Sequence, residues 1–98
     1  MSYNNQSTTT KSATDSYQIA LKTIPTQGFK IVRTRDFANL IQASKEIDGV
    51  TITFNVSFVM GKETKVHVAC LTSGDSASDA EKAAVDGLLE ALIQALVE

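Results

Sequence analysis

A single histidine and a single cysteine bound the chemistry open to this 98-residue chain. His67 sits between Val66 and Val68 in an alternating stretch, and pairing that stretch with the alternating residues 50–58 sets Ser57 opposite it. A Ser and His pair is the core of nucleophilic hydrolysis, but the reaction also needs an acid to orient the ring and oxyanion donors inside a cleft. Both side chains fall on the solvent side of a flat sheet, which supplies neither, so the expectation is a surface pair and not an enzyme. Cys70 has core-facing parity beside Phe54 and reads as a small hydrophobe filling space, because reactive thiols sit in exposed, electropositive surroundings. One Cys and one His give no ligand set for zinc or a redox metal. Asp75, Asp79 and Glu81 come nearest to a calcium loop, and they are explained as residues at the start of a helix. No metal or cofactor is expected.

The remaining charges are dispersed. Asp36, Glu46, Asp48, Glu63 and Asp86 lie on turns and wet faces, where no acid and base pair forms. Gly61-Lys62 lacks the glycine run and helix start of a phosphate loop. Lys30, Arg33 and Arg35 make a small basic stretch without interleaved aromatics to stack bases, which reads as a solvated edge and not as an RNA site. A net charge of -2 gives no field that would attract nucleic acid or an anionic membrane. With 43% apolar and 20% charged residues the composition suits a water-soluble globular chain. No run approaches the roughly 18 apolar residues of a membrane span. Residues 1–11 lack the basic start and apolar stretch of a secretory signal, and Cys70 has no partner for an intramolecular disulfide. The expectation is a cytoplasmic protein, or one of the cell envelope if a signal has been removed.

These residues are positioned by a readable frame. In residues 50–58, Val50, Ile52, Phe54, Val56 and Phe58 alternate with Thr51, Thr53, Asn55 and Ser57, as a strand with one dry and one wet face requires. Residues 1–11 are polar and are expected to be a flexible tail, since they bury too little to offset the entropy of ordering. Residues 12–23 carry Ala13, Tyr17, Ala20 and Leu21 at helical spacing, with Ser12 or Thr14 as cap and Pro25 as the stop. Strands follow at 29–34, 38–47, 50–60 and 64–72, with a turn at Asp48-Gly49 that tolerates positive backbone angles. After a loop at 73–75, residues 76–98 form a second helix. Ser78 and Glu81 have capping-box spacing there, and a stripe of Ala77, Ala80, Ala84, Leu88, Ala91, Leu92 and Ala95 is widened by Val85, Leu89, Ile93 and Leu96.

Register follows from the demand that paired strands agree about their dry face. A two-residue loop at Asp48-Gly49 sets Ile47 against Val50, Ala43 against Phe54 and Ile41 against Val56. A three-residue loop at 61–63 sets Phe58 against Val66 and Val56 against Val68, and a similar choice puts Phe29 and Ile31 beside Ala43 and Ile41. The dry face is then Phe29, Ile31, Ile41, Ala43, Ile47, Val50, Ile52, Phe54, Val56, Phe58, Val66, Val68 and Cys70. The expected fold class is α+β, a two-layer sandwich in which a four-stranded antiparallel meander carries the N- and C-terminal helices on one face. Residues 12–98 make one domain. The open face, with Val32, Leu40, Gln42, Thr53, Asn55, Ser57, His67 and Leu71, is the candidate interaction surface.

The order of elements, with Gly28-Phe29-Lys30-Ile31 leading into Asn39-Leu40-Ile41-Gln42-Ala43, then two long alternating strands and a final helix, resembles small uncharacterised bacterial domains. It is similar in topology to helix-grip modules of envelope lipoproteins, including repeats of the outer-membrane barrel-assembly machinery. The resemblance covers 12–98 and implies a non-enzymatic, protein-binding or scaffolding role. The leading expectation is an interaction module that self-associates or docks a protein partner through the open sheet face or a sheet edge. The alternative is a carrier of a small apolar ligand between helices and sheet, as helix-grip folds can be. A cavity beneath Phe54, Phe58 and Tyr17 would mark a carrier, and a filled core an interaction module.

Overall fold

The computed structural model describes residues 2–71 and 77–97. The elements are β1 (Ser2–Thr9), α1 (Ala13–Thr26), β2 (Lys30–Arg35), a 3-10 turn (Asp36–Ala38), β3 (Leu40–Ile47), β4 (Val50–Val59), β5 (Thr64–Leu71) and α2 (Asp79–Val97). The strands form one antiparallel sheet in the order β1-β5-β4-β3-β2. Both helices pack on the same face, α1 over β2, β3 and β4, and α2 over β1 and β5. The α+β class with an antiparallel sheet is as expected, but the sheet has five strands and not four. The expected loop at 73–75 and the first residue of the expected second helix lie outside the described residues.

The fifth strand comes from the residues expected to be a flexible tail. Ser2–Thr9 pairs with β5 along its whole length, from Ser2 opposite Leu71 to Thr9 opposite Thr64. Burial is not the only force that orders a chain. The outer edge of β5 offers a row of unmade backbone hydrogen bonds, and a Ser- and Thr-rich strand can satisfy them without an apolar payload.

The central hairpins follow parity. Ile47 faces Val50, Ala43 faces Phe54 and Ile41 faces Val56, while Phe58 faces Val66 and Val56 faces Val68. Asp48 and Gly49 adopt φ of 53° and 80°, as their tight turn demands. Val50 departs from the expected dry face: at the hairpin tip it lies beyond the reach of the helices and is 51% exposed. Ile31 and Ile47 are only half-buried.

In the first hairpin the register differs. Ile31, expected opposite Ile41, faces Ala43 instead, and Thr34, three residues on, faces Ile41, because β2 carries a bulge between Ile31 and Arg33. Unbroken alternation would have turned Arg33 towards the helices, where an unpaired charge is costly to bury. Both helices also shift from their expected limits. Ser12 caps α1, its Oγ accepting the Asp15 N–H at 3.1 Å. Pro25 does not stop the helix. It lies inside the last turn, where its missing N–H forfeits the bond to the Leu21 carbonyl, and the chain leaves only afterwards, through Gly28 at φ 84°. At α2 the capping box forms, with Ser78 N–H on Glu81 Oε1 at 3.0 Å and Glu81 N–H on Ser78 Oγ at 3.2 Å. The buried side chains of α2 are Glu81, Val85, Leu88, Leu89, Leu92 and Leu96; of the expected alanines, Ala77 and Ala84 pack against the core at its margin and Ala80 is exposed.

The core is sealed where α1 meets the sheet. Tyr17, Ile24, Ile41, Phe54 and Val56 are fully buried, and Phe29 meets Phe54 edge-on with centroids 5.0 Å apart.

Candidate functional site

Two surfaces have geometry worth building up, one on each side of the sheet. On the open side, cross-strand pairing assembles rows of side chains that share a face. One row runs Asn4, Ala69, Asn55, Gln42, Arg33, and the next runs Gln6, His67, Ser57, Leu40, Arg35. Leu71 and Thr53 pair one row further on, and Val32 protrudes at the bulge. The structure therefore brings Val32, Leu40, Gln42, Thr53, Asn55, Ser57, His67 and Leu71 onto one face. The middle of that face is half-buried by its own neighbours, while Val32, Val59 and Leu71 are more than half exposed at its margins. Ser57 and His67 are cross-strand neighbours, yet no hydrogen bond joins them. Cys70 lies in the core as a free, fully buried thiol.

The helix side contains the second surface, which the sequence reading did not anticipate. On β1 the positions that point at the helices are Tyr3, Asn5, Ser7 and Thr9, opposite the core residues Cys70, Val68, Val66 and Thr64. Three of those four are small and polar, so α2 finds hydroxyls and an amide where an apolar layer would seal it down. Its approach to β1 is held at one end by Asp86, whose Oδ1 accepts from Tyr3 Oη at 2.8 Å and from Asn5 Nδ2 at 3.0 Å. That bond to a carboxylate, followed by desolvation, raises the Tyr3 pKa above its ordinary value.

A groove of about 530 Å³ opens between Asn5 and Ser7 on β1 and Leu89, Ile93 and Val97 on α2, with Asp86, Glu90 and Gln94 at its rim. A second hollow of about 310 Å³ continues it, sharing Ile93 and Val97 and reaching Thr9 and Lys11. Together they form one trough along the β1 edge, apolar on the helix wall and polar on the strand wall. Tyr17, Phe54 and Phe58, expected to roof the cavity of a carrier, are buried in the core and line neither hollow. The signal that would have found the trough is the polar identity of residues 5, 7 and 9, legible only once β1 is known to be a strand.

A third, smaller hollow of about 100 Å³ lies on the open face between Arg33, Arg35, Leu40 and Gln42. The bulge makes it, by bringing Arg33 opposite Gln42 and Arg35 opposite Leu40. Asp36, next to Arg35 in the chain, is engaged on the other side of the sheet, where its Oδ1 accepts the Tyr17 hydroxyl. Burial and then that carboxylate contact raise the Tyr17 pKa, against an opposing contribution from Thr34. Among the described residues no group of three or more His, Cys, Asp or Glu side chains converges as a metal site, and no helix is long and apolar enough to cross a membrane.

No protein-family model and no curated protein matches the chain. Among solved structures it is similar to the crystal structure of Ara h 8.0201, with a TM-score of 0.51 over 99% of this chain and 97% of that one, at 12% sequence identity. At that identity the likeness is one of fold.

Proposed function

We propose that the chain is a non-catalytic carrier of a small amphipathic molecule, bound in the trough between α2 and β1. The observation that carries this reading is the mismatch across the trough: the partly buried Ile93 and the 75% exposed Val97 line it together with Asn5 and Ser7, while Leu89 at its inner side belongs to the core. A helix wall left without an apolar layer opposite it gains from covering by an apolar body, at about 25 cal/mol per Å² removed from water. The volume of about 530 Å³ falls within the range of roughly 300–1,000 Å³ usual for small-molecule sites. Asp86 and Glu90 at the rim favour a ligand whose polar group donates hydrogen bonds. The shared fold with Ara h 8.0201 supports the reading only as far as architecture goes.

The test uses N-phenyl-1-naphthylamine, a neutral dye with an apolar body and one N–H donor. Wild-type protein is expected to enhance its fluorescence saturably. Ser7→Leu, which places a side chain in the trough, is expected to weaken binding by about tenfold or more. No saturable enhancement, or equal binding by a folded Ser7→Leu variant, would sink the carrier reading.

A second reading concerns the open face. Its centre, Gln42, Thr53, Asn55 and Ser57, consists of amides and hydroxyls that both donate and accept, so the surface is chemically complementary to itself. The occupant this favours is a second copy of the chain, packed sheet to sheet. Sedimentation velocity is then expected to show a concentration-dependent dimer that Asn55→Arg abolishes; a monomer across the micromolar range would exclude it.

A further inference from the structure

We infer that the bulge in β2 builds an oxyanion site from Arg33, Arg35 and Gln42, on the opposite layer from the trough and independent of what the trough carries. Three observations converge. First, the bulge between Ile31 and Arg33 places both arginines on the face of their cross-strand neighbours Gln42 and Leu40. Second, these four residues alone line a hollow of about 100 Å³, large enough for a phosphate or carboxylate group and little more.

Third, the two guanidinium groups lack counter-charges. Neither has an ion pair or hydrogen bond among the described residues, although the chain as a whole is acidic, at net charge -2. The nearest carboxylate in sequence, Asp36, is held by Tyr17 on the helix side, and Glu46 lies at the far end of β3, opposite Thr51. Two like charges two residues apart on one face repel each other, and an oxyanion set between them converts that repulsion into charge-assisted hydrogen bonds. The guanidinium fork matches the spacing of phosphate and carboxylate oxygens, and the Gln42 amide adds a neutral donor that accepts no penalty from a second negative charge nearby. Leu40 closes the hollow on its apolar side.

The ligand class is therefore an oxyanion, whose source is either a free phosphate-type group or carboxylates presented by another chain. The test follows the side-chain Nε–Hε resonances of Arg33 and Arg35 by NMR during titration with inorganic phosphate and, separately, with hexaglutamate, at constant ionic strength against chloride. Saturable shifts of both resonances are expected, with affinity reduced about tenfold in Arg33→Gln. Tighter binding of phosphate identifies a small anion as the source, and tighter binding of hexaglutamate identifies a protein's carboxylates. Shifts that match the chloride control with both probes, or affinity unchanged in Arg33→Gln, would overturn the site. Because the substitution touches neither α2 nor β1, dye binding in the trough should survive it, which keeps the two proposals separable.

Discussion

The helix-facing side of the sheet is built in two ways. Where α1 crosses β2, β3 and β4, the centre is filled to contact: Tyr17, Ile24, Ile41 and Phe54 are sealed from water, and Phe29 meets Phe54 edge to face. Where α2 crosses β1, the inward positions beyond Tyr3 are Asn5, Ser7 and Thr9, and the helix is held by a hydrogen-bonded clasp at Asp86 while Ile93 and Val97 border a trough. The same layer arrangement thus gives a solid on one side and an opening on the other. Parity decides which way a side chain points, and side-chain chemistry decides whether the layers close.

That contrast predicts unequal costs for similar truncations. Phe54→Ala, in the sealed half, is expected to lose about 3–5 kcal/mol of stability in urea unfolding, the usual cost of a large core cavity. Ile93→Ala, on the wall of the trough, is expected to lose less, about 1–2 kcal/mol, because its side chain is only partly buried. Ser7→Leu should go the other way and gain up to about 1 kcal/mol by supplying the missing apolar partner. Equal losses for Phe54→Ala and Ile93→Ala would erase the distinction between the two halves, and a strongly destabilised Ser7→Leu would show that the trough has no room.

The sequence made the sealed half legible and concealed the open one, for a physical reason. Val50, Ile52, Phe54, Val56 and Phe58 alternate so cleanly that, with short loops at 48–49 and 61–63, one register with β3 and β5 keeps their dry faces together, and the structure has that register. The eight residues from Val32 to Leu71 that make up the candidate interaction face follow from the same parity. β1 has no such pattern. Its residues are polar on both faces, so hydrophobic periodicity is silent, and what orders it is backbone pairing to an edge that the sequence does not advertise. The trough is built from β1, so it was lost with it. The bulge escaped for a related cause: Ile31-Val32-Arg33 fits either face until the partner strand is known, and the cost of turning Arg33 inward selects the irregular answer.

The central claim is that a ligand enters on the α2–β1 side and not beneath α1. The direct measurement is methyl NMR of the protein titrated with N-phenyl-1-naphthylamine. Saturable shifts are expected at the Leu89, Ile93 and Val97 methyls, with those of Ile24 and Ile41 unmoved. Shifts centred on Ile24 and Ile41, or no saturable shift at Ile93, would contradict it.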